Sequence, residues 1–279
     1  MNTKLSIVIV NYNVTQLLRN CLLSIQKYIR EIDYEVIVID NASTDISWKS
    51  LITEFPDFHF IASENNDGFS KANNKAIRTA KGEYVLILNP DTELEGFYMN
   101  AVLRFADSQS DFGCLGVRMH DAQGAFLPES KRSVPDMFNS FEKLFVNFKN
   151  NNSKSYYRND VDENEIAEVE VITGAFFLVK KEVYEKVGGL DESYFMYGED
   201  IDLCYTLLRN GFKNYYYGKA SILHCKGEST VKDEVYLERF YGAMQIFISK
   251  YYKESKPFQY SFLSAGLRLR HKIEKIKLK

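Results

Sequence analysis

Acids placed where apolar runs end are the residues of this chain best suited to chemistry. Leu86-Ile87-Leu88 runs into Asn89-Pro90-Asp91-Thr92, and Val36-Ile37-Val38-Ile39 runs into Asp40-Asn41-Ala42-Ser43-Thr44-Asp45. A buried strand that ends this way presents its acid at the carboxyl end, where open α/β sheets bind ligands. Asp91 can offer an oxygen to Mg2+ or Mn2+, cations that suit diphosphates. Asp40 can accept from a base N–H, with the following turn holding a ribose. Further along, Gly198-Glu199-Asp200-Ile201-Asp202 opens a predicted helix with three acids. A helix N-terminus favours negative charge, yet crowding raises the pKa of one carboxylate. One of these acids then suits general-base work. His224 has the most site-like setting of the four histidines, able to share a metal with an acid and diphosphate oxygens.

Each cluster also has a plainer reading. Asp40 to Asp45 suits a turn that caps the next helix, and Asn89-Pro90-Asp91 suits a strand-end turn. Acids near Gly198 suit the helix dipole. Between these clusters, Asn65-Asn66-Asp67-Gly68 forms a loop, where Gly68 permits close backbone approach. Asn73 and Asn74 then stand side by side in a helix that disfavours Asn. One of them is expected to have a task, which tying a loop to the helix would also satisfy.

The elements that must position these groups follow from hydrophobic spacing. Leu5 to Val10 predicts a strand ending at Asn11-Tyr12-Asn13. Leu17, Leu18, Cys21, Leu22 and Ile25 predict a helix over 15–28, with Thr15 as its cap. Strands follow at 34–39, 58–62 and 84–88, with helices at 47–55 and 69–80 between them. This alternation predicts a parallel sheet covered by helices. The glycine fingerprints of dinucleotide-binding and phosphate-loop proteins are missing. A helix at 97–106, a strand at 113–117 and a hairpin through Asp121 to Gly124 come next. Residues 147–164 predict a mobile loop or lid. Residues 169–179 read as one strand broken at Thr173-Gly174-Ala175. Helices at 181–187 and 201–210 and a strand at 215–223 precede His224.

Beyond Asp233 the chain is helical. Residues 268–279 hold six Lys/Arg against one acid, and Leu269, Ile273 and Ile276 share a helical face. Such a tail suits an anionic lipid surface, and equally a solvated helix packed on the domain or a partner subunit. The 279 residues suffice for one large domain plus a small appendage. A formal net charge of −3 argues against a nucleic-acid partner. The four cysteines have neither zinc nor disulfide spacing and fit a reducing cytoplasm. No apolar stretch is long enough to span a bilayer.

Four segments in order, Val8-Ile9-Val10-Asn11-Tyr12-Asn13, Val38 to Asp45, Leu88 to Thr92 and Gly198 to Leu203, together resemble the family 2 inverting glycosyltransferases of the GT-A fold. The likeness covers roughly residues 4 to 230 and is nearest to bacterial rhamnosyltransferase-like members that build surface polysaccharides. It implies an α/β fold with a mostly parallel nucleotide-binding sheet. The implied plan is a GT-A domain over 1–232 (a nucleotide-binding half, 1–95, and an acceptor half, 96–232) and a helical extension over 233–279. It implies a nucleotide-diphosphate sugar donor, deoxythymidine-diphosphate rhamnose first and uridine-diphosphate hexoses next. The implied acceptor is a saccharide or lipid-linked saccharide at the inner face of the membrane. A homodimer is compatible with the chain.

By that resemblance Asp40 contacts the base, while Asp91 holds the diphosphate and a divalent cation (Mg2+ or Mn2+) that His224 completes. Val10, Asn11, Tyr12, Asn65, Gly68, Asn73 and Asn89 join the donor wall. Gly174 and Ala175 lie below the donor sugar and acceptor. Asp200, paired with Glu199, deprotonates the acceptor hydroxyl. Asn89 departs from the usual Asp-x-Asp motif, which predicts weaker metal affinity. Two other readings stand beside this one. A sugar-nucleotidyltransferase would carry a Gly-rich basic loop after the first strand, where Asn11-Tyr12-Asn13 stands. A non-catalytic nucleotide-sugar-binding protein would release no nucleoside diphosphate when acceptor is added.

Overall fold

A computed structural model describes residues 3–96, 99–134, 156–225 and 233–278. Four strands, β1 (Leu5–Asn11), β2 (Tyr34–Asp40), β3 (His59–Ala62) and β4 (Tyr84–Leu88), pair in parallel in the spatial order β3-β2-β1-β4. Their residues alternate between two cores, as the pleat requires. Leu5, Ile7 and Ile9 of β1 join one cluster, and Val8 and Val10 join the other. Helices α1 (Thr15–Tyr28), α2 (Ser50–Glu54) and α4 (Met99–Ser108) cover the first face through Leu18, Leu22, Leu51 and Val102. Helix α3 (Gly68–Ile77) covers the second through Ala72, Ala76 and Ile77.

The sheet continues past β4 through β8 (Phe176–Lys180), β6 (Phe112–His120) and β9 (Lys213–His224). Strand β8 is antiparallel to both β4 and β6, while β6 and β9 are parallel. Strands β5 (Thr92–Leu94) and β7 (Ile166–Val169) pair antiparallel with β9. Helices α5 (Lys181–Lys186) and α6 (Glu199–Arg209) pack on the second face through Val183, Leu203 and Leu207. The chain closes with α7 (Glu234–Tyr252) and α8 (Pro257–Lys277), which pack together through Leu237, Phe247, Leu263 and Leu267. Among the described residues no helix is long and apolar enough to cross a membrane.

Several expectations change. Residues 169–179 are not one broken strand. Ile166–Val169 pairs with β9, and Phe176–Lys180 pairs with β4 and β6. Between them the backbone leaves the sheet, with Val171 bridged to Arg132. Thr15 is the first residue of α1 rather than its cap, which is Val14. The Thr15 hydroxyl instead joins Asp45 and Ser47. Segment 46–49 is a 3-10 turn, capped by the Asp45 carboxylate accepting from the Ser47 N–H. The first part of the expected loop 147–164 lies outside the described residues. Residues 156–164 are anchored: Ser133 N–H donates to the Tyr156 carbonyl, Lys131 Nζ donates to the Arg158 carbonyl, and Val161 is buried.

Chain direction creates the crevice. From β1 the chain moves to β2 on one side, and β4 then adds on the other. The carboxyl ends of β1, β2 and β4 therefore flank a topological switch point, where open α/β sheets bind ligands.

Candidate active site

The first corner is built on β1 and β2. Register pairs Asn11 with Asp40 at the two strand ends. Asn11 Nδ2 donates to Asp40 Oδ1 at 2.7 Å, and Ser43 donates through its hydroxyl at 2.6 Å and its N–H at 3.0 Å. These bonds fix the buried Asp40 carboxylate. The turn is stitched from outside by Asn13, held at φ 58°. Its Oδ1 accepts from the Thr44 and Asp45 N–H groups. Val10 is buried just before this corner, and Tyr12 stands exposed at its rim. Asn41 extends the corner toward α3: its Nδ2 donates to Asn66 Oδ1 and the Gly68 carbonyl, and its Oδ1 accepts from the Asp67 N–H. Asn65 is exposed beside this loop.

Gly68 sits at φ +83°, and a Cβ there would lie 2.3 Å from the Phe195 carbonyl oxygen. The close approach expected of Gly68 is thus to the backbone before α6, where the Phe69 N–H donates to Phe195 at 2.7 Å. Asn74 ties the helix to the loop at Leu190 and Glu192, and accepts from the Tyr184 hydroxyl. Asn73 donates to the Phe69 carbonyl and keeps a buried Oδ1 with no hydrogen-bond partner among the described residues.

The second corner begins where β4 ends. The Asn89 N–H donates to the Ala175 carbonyl at 3.0 Å, and the Asn89 carbonyl accepts from the Thr92 hydroxyl at 2.7 Å. This turn aims the buried Asp91 carboxylate at His224, with Oδ1 to Nε2 at 3.4 Å. Pairing of Thr92 with His224 across β5 and β9 sets that distance. His224 Nδ1 is buried with no hydrogen-bond partner among the described residues. A carboxylate and an imidazole are donors that suit Mn2+ or Mg2+. Mg2+ is usually held by one or two carboxylates together with substrate phosphates. The pair therefore fits an ion shared with a diphosphate. No group of three or more His, Cys, Asp or Glu that could hold a metal occurs among the described residues.

The third corner is the start of α6. Gly198, at φ +81°, turns the chain into the helix. Asp200 Oδ2 accepts from Arg132 at 2.6 Å and from the Gly174 N–H at 3.2 Å, while Oδ1 accepts from the Ile201 N–H. Arg132 also donates to the Ile172 carbonyl at 2.8 Å, which holds its guanidinium beneath the chain that left the sheet. Burial opposes the Arg132 charge, but the Asp200 carboxylate, together with Tyr156 and Cys204, outweighs it and raises its pKa. Glu199 is buried, and burial with the neighbouring Asp200 charge pushes its pKa up to about 8. Asp202 faces away from this corner. It accepts from Lys250, Tyr251 and Tyr194, fastening α7 to α6.

Short contacts join the corners. Asn41 reaches Gly68, and a Cβ on Gly174 would meet Phe69 at 3.8 Å and Asp200 at 3.6 Å. Ala175 then meets Asn89, two residues before Asp91. Sequence reading did not single out Arg132, Asn13 or Asn41 as site residues. A cavity of about 950 Å3 lies apart from these corners, lined in part by Arg78, Gly188, Asp191, Thr206 and Lys250. Asn74 and Asp202 line it, but none of the residues expected to bind donor, acceptor or metal or to act as base does, and its Lys250 is already paired with Asp191 and Asp202.

Known proteins resemble the chain in sequence and in fold. Residues 6–188 match the model of glycosyl transferase family 2. The chain is 29% identical over 211 residues to N-acetylglucosaminyl-diphospho-decaprenol L-rhamnosyltransferase of Mycobacterium tuberculosis, covering 71% of this chain and 68% of that protein. It is 28% identical over 201 residues to the rhamnosyltransferase WbbL of Escherichia coli, covering 68% and 72%. Among solved structures it resembles the mannosyltransferase PcManGT of Pyrobaculum calidifontis in complex with GDP-Man and Mn2+, with a TM-score of 0.63, 18% identity and coverage of 97% and 71%. It also resembles Staphylococcus aureus TarS 1-349, with a TM-score of 0.59, 17% identity and coverage of 96% and 72%. The fold is the GT-A architecture of these glycosyltransferases. With strand-end acids, an acidic helix start and a matching family model over most of its length, the chain belongs to glycosyl transferase family 2 and is a glycosyltransferase.

Proposed function

We propose that this glycosyltransferase moves a sugar, L-rhamnose in first place, from a nucleotide-diphosphate donor to a saccharide or lipid-linked saccharide acceptor, inverting the anomeric centre. The observation that carries the reading is Asp200. Its carboxylate is held by Arg132 and the Gly174 N–H on the same crevice as Asp40 and the Asp91–His224 pair. The relatives named rhamnosyltransferase support the donor, and the decaprenol-linked name of one supports the acceptor class. The work belongs to bacterial surface polysaccharide synthesis. Its place is the cytoplasm, at the inner face of the membrane when the acceptor is lipid-linked.

Asp40, fixed by Asn11 and Ser43, accepts from the base. Val10, Asn11, Tyr12, Asn65, Gly68, Asn73 and Asn89 form the donor wall. Asp91 and His224 would hold a divalent cation, which would supply positive charge to offset that of the diphosphate. Gly174 and Ala175 floor the sugar and acceptor. Asp200 takes the proton of the acceptor hydroxyl as its oxygen attacks the anomeric carbon. The bond from that carbon to the diphosphate breaks, and nucleoside diphosphate leaves with the electron pair. One displacement inverts the centre and needs no covalent intermediate. Glu199 holds its proton at neutral pH, because burial and its neighbour push it to about 8. Two carboxyls in different environments thereby take different roles.

A thermal-shift panel of nucleotide sugars with Mn2+ tests the donor assignment, because a ligand that binds the native state raises its melting temperature. Deoxythymidine-diphosphate rhamnose is expected to shift it most. A panel in which no nucleotide sugar shifts the melting temperature overturns the reading.

A further inference from the structure

Helix α8 has two apolar faces, one buried against α7 and one exposed. Leu263 and Leu267 are buried against α7. Ser264 accepts from Gln245, and His271 stacks on Tyr241 with ring centroids 4.9 Å apart. On the opposite side run Phe258, Phe262, Leu269, Ile273 and Ile276, with Ala265 between them. Steps of three and four residues keep them on one helical face. All are exposed: Phe258 by 91%, Ile276 by 73%, Phe262 by 56% and Leu269 by 55%. Scattered apolar residues on a surface are normal, but a continuous stripe along a helix marks an interaction site.

Charge decides among occupants. The helix is basic where the chain as a whole is acidic, with a formal net charge of −3. Arg268 and Lys272 flank the stripe, exposed and without an ion pair among the described residues. Apposing this stripe with that of a second copy would bring two basic flanks together. An anionic surface meets both the stripe and its flanks.

The stripe also lies near the chemistry. Lys275 pairs with Glu234 and Glu238, which sets the basic end of α8 beside the start of α7. There Tyr236 and Phe240 pack on Tyr197, and Ala243 approaches Gly198, just before Glu199 and Asp200. We propose that the exposed face of α8 docks this enzyme on an anionic lipid bilayer, with Phe258, Leu269, Ile273 and Ile276 entering the interface and Arg268 and Lys272 meeting lipid headgroups. The inference deepens the lipid-linked acceptor reading and rests on it for its purpose. An interfacial helix of this kind binds through apolar burial together with attraction to anionic lipid.

The test is flotation of the full chain with phosphatidylcholine vesicles, with and without phosphatidylglycerol. Neither donor nor acceptor is added, so the outcome is independent of the transfer reading, which release of nucleoside diphosphate in detergent solution tests separately. Wild type is expected to float with phosphatidylglycerol vesicles and to lose that binding as salt rises. Arg268→Gln with Lys272→Gln is expected to lower partitioning by about thirtyfold, at the usual contribution of one surface cation. Phe258→Ser with Leu269→Ser and Ile276→Ser is expected to abolish flotation with the melting temperature unchanged, since all three side chains are exposed. Wild type that stays off anionic vesicles overturns the proposal, as does flotation unaltered in both variants. A dimer in sedimentation velocity that the serine variant converts to monomer, without vesicle binding, assigns the stripe to a second copy and also overturns it.

Discussion

Replacing Glu199 by glutamine tests the electrostatics of the α6 start in a way that needs no substrate. The Glu199 side chain is buried, and its Oε2 has no hydrogen-bond partner among the described residues. Burial, then the Asp200 charge, pushes its pKa from 4.5 up to about 8. The folded protein therefore binds this proton more tightly than the unfolded chain does. Its contribution to stability is fully present below pH 4.5, falls as the pH rises toward 8, and is flat above that. Each unit of difference corresponds to about 1.4 kcal/mol, so the whole effect is on the order of a few kcal/mol. Glutamine keeps the shape and a donor but has no charge to bury. Urea denaturation of wild type and Glu199→Gln across pH 5 to 9 reads the difference directly. The variant is expected to gain on wild type steadily up to about pH 8 and then to hold its lead. A difference that stays constant across the range refutes the reasoning.

Three further perturbations separate packing from donor binding. Asp202→Asn keeps hydrogen-bonding capacity toward Tyr251 and Tyr194 but loses its ion pair with Lys250, which retains Asp191. It is expected to lower stability by about 2 kcal/mol, read as a fall in melting temperature with donor affinity unchanged. Gly68→Ala adds a Cβ 2.3 Å from the Phe195 carbonyl oxygen at a positive φ. It is expected to cost at least about 2 kcal/mol in urea denaturation and to raise the donor KM through the loop that Asn41 holds. His224→Ala leaves Asp91 as the one protein donor of the proposed cation pair. The Mn2+ concentration for half-maximal transfer is expected to rise at least about tenfold, and an unchanged concentration contradicts the metal role of His224.

The sequence was most legible where chemistry follows directly from strand endings. Asp40 and Asp91 could be picked out because each terminates an apolar run, and a parallel sheet over β1 to β4 could be read from alternation, though not the spatial order of its strands. His224 stood out by its setting at a strand end, while Asp200 needed the family likeness to be singled out among the three acids of its helix start. Arg132 was not legible, since its partner lies far along the chain and pairing at that distance leaves no local pattern. Strand β5 has only three residues, too few for a period to show. The departure of residues 170–175 from the sheet was partly visible as Thr173-Gly174. Its reason was not: that backbone is needed under Asp200, where Gly174 donates its N–H. Asn13, though part of the first segment, was given no role because its left-handed backbone and bonds to the Thr44 turn are tertiary features.

The central claim is that Asp200 is the proton acceptor of a displacement at the anomeric carbon. Asp200→Asn keeps the size of the side chain and an oxygen for Arg132 while removing the base. The decisive measurement is donor binding and acceptor-dependent release of nucleoside diphosphate, made on the same preparation of this variant with the donor that the thermal-shift panel selects. Donor affinity is expected to stay near that of wild type, with kcat for transfer reduced by at least about a hundredfold. Transfer at the wild-type rate would contradict the account.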